Sequence, residues 1–221
     1  MKPRKHLFVF FIFSLGAIQN APSQPNDACL HSFREQIAGK DYLQQFEVVK
    51  SLKKAEMACL FYATQNEPLL EPDFLIDSEN PQKVQKFYGK NSLILFNQFE
   101  KHFFSVDSAG SEKVYGYNLF LVGKIFRSYG FFYADAGQRP EELVLEYDLD
   151  FPELIPQERW DTLGNRAGSV KKIKGNRGDL IFDRIKDILH PVAENVAVGR
   201  AVRVRNGKEQ HLTYFVILRV P

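Results

Sequence analysis

The C-terminal end constrains the fold more than any other segment. Two runs of β-branched and aromatic residues, Val192 to Val204 and His211 to Val220, are joined by Arg205-Asn206-Gly207-Lys208. Asn-Gly is a strong pair for a tight turn between antiparallel strands. A β-hairpin, and a sheet to hold it, is therefore predicted. Upstream, Val114 to Val122 and Ile125 to Tyr133 are aromatic and β-branched, separated by glycines, and predict two further strands. Leu143 to Phe151 alternates: Leu143, Leu145, Tyr147, Leu149 and Phe151 share one face, and Val144, Glu146, Asp148 and Asp150 share the other.

The first half carries helical spacing instead. Asp27 can cap a helix bearing Leu30, Phe33 and Ile37 before Gly39, and Asp41 can cap a longer one bearing Leu43, Phe46, Val49 and Leu52. Asn66 to Pro81 holds three prolines and is expected to be loop. From Gln82 to Phe104 the positions Val84, Phe87, Ile94, Phe96, Phe99 and Phe103 suit a helix that Gly89 interrupts. Leu180 to Leu189, with Ile181, Ile185 and Ile188, predicts a short helix stopped before Pro191. The expected fold class is α+β: N-terminal helices packed on a mostly antiparallel sheet, a layered sandwich with a closing C-terminal hairpin.

Lys2, Arg4 and Lys5 precede a twelve-residue apolar stretch, Leu7 to Ile18, and small residues follow at Ala17, Ala21 and Ser23. This is the layout of a secretory signal peptide, with a buried N-terminal strand or an uncleaved anchor as the other readings. As a helix the stretch would rise about 18 Å against a hydrocarbon core of about 30 Å, so no transmembrane span is expected in the mature chain. The expected organisation is a signal peptide at 1–21, a linker and short helix at 22–40, and one α+β domain at 41–221. The expected location is secreted or periplasmic, in the envelope space. There, Cys29 and Cys59, the only two cysteines, are expected to pair as a disulfide; two separate buried thiols are the other reading. The formal charge is only +2, and the leader's Lys2, Arg4 and Lys5 supply three of the positive charges. No nucleic-acid partner is expected from so weak a basic footprint.

The closing segment resembles the CAP superfamily, the SCP-like extracellular domains. Members end in a helix with a GHRxNIL-P core, then a VGVGxA strand, a turn and an aromatic strand. Asp187-Ile188-Leu189-His190-Pro191, Val196 to Ala201, Asn206-Gly207 and Tyr214-Phe215-Val216-Ile217 follow that order. Phe104-Ser105-Val106-Asp107 with Gly110 is similar to the family's FSHxxxxG, and Gly116-Tyr117-Asn118-Leu119-Phe120 to its GENIA. The family's metal-binding histidines and acidic residues fall here on Val106, Tyr117 and Arg184, none of which supplies an imidazole or carboxylate. The resemblance thus implies a domain without the metal-binding tetrad.

No catalytic constellation, metal ligand set or cofactor motif is read from the residues. Glu146, Asp148 and Asp150, about 7 Å apart along one strand face, could form an acid–base pair or part of a calcium site, or could simply face water. Arg177-Gly178-Asp179 could offer a cation and a carboxylate to an adhesion receptor. Residues 131–158 hold eight acidic and one basic side chain, and 159–221 hold thirteen basic and six acidic. The two stretches could neutralise each other or present a basic face to an anionic surface such as polysaccharide or phospholipid. The expected function is a non-catalytic binding domain for a protein, glycan or anionic-surface partner. A small exported hydrolase using the three carboxylates on a glycan or ester is the alternative.

Overall fold

The computed structural model describes residues 27–68, 70–77, 79–80, 83–93, 97–105, 113–122, 126–135, 142–147 and 182–221. Four helices come first: α1 (Asp27–Ile37), α2 (Tyr42–Ser51), α3 (Lys54–Ala63) and the single turn α4 (Pro72–Leu75). Eight strands follow: β1 (Gln85–Asn91), β2 (Gln98–Ser105), β3 (Lys113–Val122), β4 (Phe126–Asp135), β5 (Leu143–Glu146), β6 (Ile185–Ala193), β7 (Val196–Arg205) and β8 (Lys208–Arg219). Each strand pairs antiparallel with the next, and β8 returns to β1, with Phe87 opposite Arg219 and Asn91 opposite Phe215. The sheet is a closed eight-stranded barrel, which leaves no strand edge open.

This overturns the expected sandwich of helices on an open sheet. The described residues of 82–104 are not helical; they hold β1 and β2. The described part of the expected helix at 180–189 is not helical either: Phe182–Arg184 form a turn and β6 begins at Ile185. That segment was matched to the helix of the CAP-like resemblance. The physical reason lies in two-sided burial. Ile185, Asp187 and Leu189 face the barrel interior, while Ile188 and Val192 face the helices on the outer wall. A strand buried on both faces loses its period of two, and its apolar residues then fall by chance at helical spacing. β1 behaves alike, with Phe87 inside and Tyr88 outside, both buried.

The expected loop at 66–81 carries the single turn α4, and other local readings hold more closely. Asp41 caps α2 in a capping box: its Oδ1 accepts from the Gln44 amide (2.9 Å), and the Gln44 side chain accepts from the Asp41 amide (3.2 Å). Leu43, expected on the buried stripe, is 70% exposed. The helical stretch also breaks at Leu52–Lys53, so α3 is a helix of its own. It carries Cys59, which is disulfide-bonded to Cys29 of α1. Asn206 and Gly207 take the positive φ values (51° and 72°) that the tight hairpin turn requires. No helix among the described residues is long and apolar enough to cross a membrane. The proposed leader lies outside the described residues.

Two apolar clusters divide the molecule. One lies between α1–α3 and the outer wall of β6, β7, β8 and β1, where Phe33, Leu60 and Phe61 meet Val192, Val198 and Val216. The other lies inside the barrel, where rings of the described residues touch in an unbroken series. Phe74 of α4 contacts Phe87 (5.4 Å between centroids), and the series runs on from Phe87 to Phe103 (5.2 Å), Phe132 (5.2 Å), Tyr147 (5.2 Å) and Phe182 (5.8 Å).

Glycines make room for these rings. Gly199 sits opposite Phe215 and Gly116 opposite Phe132, and in each case the ring lies across the bare Cα. A Cβ at Gly199 would collide with the Phe215 ring alone, whereas one at Gly116 would also strike the backbone carbonyl of His102. Gly199→Ala should therefore cost about 1–3 kcal/mol, with part of the loss relieved by Phe215→Leu in the same chain. Gly116→Ala should not be relieved by Phe132→Leu. Urea unfolding of the four variants checks this, and equal relief at both sites would contradict it.

Candidate functional site

The least expected chemistry lies inside the barrel. Lys101 of β2 follows Phe99 and precedes Phe103 on the inward face, so the pleat forces its ammonium into the core. Asn118 lies opposite it on β3, Tyr147 follows β5, and Asp187 enters from β6. The ammonium donates to Asn118 Oδ1 (2.8 Å), Tyr147 OH (2.7 Å) and Asp187 Oδ2 (2.7 Å). Tyr147 in turn accepts from Asn118 Nδ2 (2.5 Å) and donates to Asp187 Oδ2 (2.7 Å). Rings wall the group, with Phe132 4.5 Å, Tyr147 5.3 Å and Phe215 5.4 Å from Nζ.

Burial pulls the Lys101 pKa down, and the adjacent Asp187 carboxylate pulls it back up. Burial, then the same carboxylate, holds the Tyr147 phenol well above its ordinary value. All three ammonium donors are used within the network. The network thereby ties β2, β3, the end of β5 and β6 together as an internal strut.

A second polar chain lies on the outer wall. His102 pairs across the ladder with Tyr117, and its Nδ1 is 2.7 Å from the Tyr117 hydroxyl; Nε2 is 2.7 Å from Glu100 Oε2. Because a carboxylate only accepts, Nε2 carries the proton and Nδ1 accepts from Tyr117, a tautomer assigned from the bonding pattern. The order is that of an activated nucleophile with its base and orienter. Tyr117 is only 4% exposed and His102 only 6%, so the pair is buried. Tyr117, matched to the lost glutamate of the family pattern, is here a buried partner of His102.

Among the predicted site residues, the structure brings together Cys29 with Cys59, as the disulfide, and Glu146 with Arg184. Glu146 and Arg184 line one cleft of about 310 Å³ at the barrel rim, with Lys186, Val204, Asn206 and Gly207. Glu146 is paired with Lys186 at 2.6 Å, directly across the β5–β6 ladder, so its charge is compensated. Asp148, Asp150, Val106, Arg177, Gly178 and Asp179 lie outside the described residues. Among the described residues, no three His, Cys, Asp or Glu side chains gather as a metal site would require.

The same end of the barrel is cationic. Between Arg200 and His211 the hairpin carries Arg200, Arg203, Arg205 and Lys208 against Glu209 alone. His211 registers this field: burial first, then the charges of Arg200 and Lys54, push its pKa down to about 4. The folded state therefore holds His211 neutral where the unfolded chain, at about 6.5, takes up a proton. The stability this contributes is fully present above about pH 6.5 and is lost as pH falls towards 4. The melting temperature should fall less between pH 6.5 and 4.5 in His211→Gln than in the wild type; identical pH profiles would contradict this. Sequence reading missed Lys101, Asp187 and this hairpin field, although a lone lysine between inward phenylalanines was a usable signal. No protein-family model and no curated protein matches the chain.

Proposed function

We propose that this chain is an exported, non-catalytic binding domain that uses a filled barrel as a rigid scaffold and binds polyanionic polysaccharide through its cationic outer rim. The observation that carries this is the interior. A continuous series of rings and a self-satisfied Lys101–Asp187–Tyr147–Asn118 network occupy the space in which other eight-stranded barrels hold a small molecule. Binding is thereby left to the outside, where Arg205 and Lys208 flank the β7–β8 turn and Arg184 lines the adjoining rim cleft. The Cys29–Cys59 disulfide supports an oxidising location outside the cytosol, in agreement with the leader-like N-terminus. The hydrolase alternative lacks comparable support, because Glu146 is already neutralised by Lys186.

Heparin affinity chromatography tests the proposal. The protein should be retained at low salt, with binding that weakens steeply as salt rises. Arg205→Gln/Lys208→Gln should elute at clearly lower salt. Passage through the column unretained at low salt would overturn the reading.

A further inference from the structure

A strip of side chains between α3 and the outer face of the hairpin goes beyond general charge. Tyr62 of α3 lies beside Tyr214 of β8, and the charge of Lys54, at the start of α3, acts on His211 of the same strand. Arg200 of β7 sits directly across the ladder from Tyr214. Its guanidinium lies over the Phe61 ring at 5.4 Å, and its side chain is 27% exposed. Its Nε is buried without a hydrogen-bond partner, and its contact with Glu209 is a long 3.4 Å.

The strip has more donors than acceptors. Tyr214 donates to the Tyr62 hydroxyl (2.9 Å), which leaves the half-buried Tyr62 its own proton to give. Arg200 and Lys54 add charged donors, and Glu209 meets Arg200 at 3.4 Å. Flat surface adjoins these donors. The partly covered His211 ring rests on Tyr214 at 4.4 Å, and Tyr214 packs on Phe61 at 5.8 Å and Tyr62 at 6.0 Å. With its pKa near 4, His211 is a neutral, flat, weakly polar ring at neutral pH. Surplus donors call for anionic oxygens, and adjacent ring faces call for a ligand with a flat apolar side.

We infer that this strip is a specific subsite for one acidic sugar residue, with Arg200, Lys54 and the Tyr62 hydroxyl holding its carboxylate or sulfate and the His211 ring lying against the sugar. This deepens the polyanion reading and rests on it: the rim supplies long-range attraction, and the strip supplies recognition. Free sulfate has the anionic oxygens but no ring, so it should bind far more weakly than an oligosaccharide.

Isothermal titration of the whole protein with a heparin-derived tetrasaccharide, a tetragalacturonate and sodium sulfate tests the assignment. One of the two oligosaccharides should bind with saturable one-to-one stoichiometry. Arg200→Gln should weaken that binding about tenfold or more, and Tyr62→Phe, which keeps the ring and the packing, about threefold to tenfold. Arg205→Gln/Lys208→Gln should change it less than about threefold once salt screens the rim. Wild-type affinity in both Arg200→Gln and Tyr62→Phe, with loss only in the rim variant, would overturn the strip and leave the polyanion reading standing. Absence of any oligosaccharide binding at low salt would overturn both. Equal affinity for sulfate, or Arg200-dependent binding to phosphatidylserine vesicles without saccharide binding, would overturn the sugar assignment.

Discussion

Lys101→Met is expected to lower the unfolding free energy by about 3–5 kcal/mol, because it strands the Asp187 carboxylate in a ring-lined interior without its cation. Asp187→Asn should be damaging for the mirror reason, leaving an ammonium at 1% side-chain exposure with only neutral partners. The informative variant is the double replacement Lys101→Met/Asp187→Leu. It removes both charges together and should be less destabilised than either single variant, since a buried pair does little better than an apolar filling of similar volume. Tyr147→Phe removes one acceptor of the ammonium and should cost less, about 1–3 kcal/mol. Urea unfolding gives these values directly. A Lys101→Met protein as stable as the wild type would mean that the network is not the strut described here.

Cys29→Ser/Cys59→Ser should cost about 3–4 kcal/mol through the freedom returned to a loop of 30 residues. The effect should not spread evenly. α1 is held to the barrel by Leu30, Phe33 and Ile37 and by Arg34, whose Nε donates to the Val192 carbonyl at 2.7 Å. α3 lies against β7 and β8 through Leu60 and Phe61. Without the bridge to α3, α1 has the weaker hold. Hydrogen exchange of the double variant should accelerate in α1 well before it does in β7 and β8. Uniform acceleration over the helices and the hairpin would contradict a layer whose outer helix depends on the disulfide.

Local chemistry made part of this fold legible. Asn206-Gly207 between β-branched runs, Asp41 ahead of an apolar stripe and the aromatic runs at 114–133 encode turn, cap and strands within a few residues. What could not be read is encoded across long separations. Barrel closure depends on β1 meeting β8, and nothing near Phe87 signals that Arg219 will lie beside it. The same wrapping buries β6 on two sides and erased the alternation that would have identified it as a strand.

The site divides in the same way. That Glu146 turns away from the apolar face of its strand was plain from alternation, but its partner Lys186 is 40 positions further on. Lys101 and Asp187 stand 86 positions apart. Tyr117 was singled out through a family pattern, and its hydroxyl proves to serve His102. The strip at Arg200 needs α3 laid on the hairpin, a contact that no spacing within either element reports.

The central claim is that the barrel is full and that binding belongs to its outside. Titration with a fluorescent fatty acid tests it most directly, since an open barrel interior would take up the chain and change the emission. The account predicts no saturable one-to-one signal in the wild-type protein. Stoichiometric binding that disappears in Lys101→Met/Asp187→Leu, with the fold intact, would place a ligand inside the barrel and contradict the account.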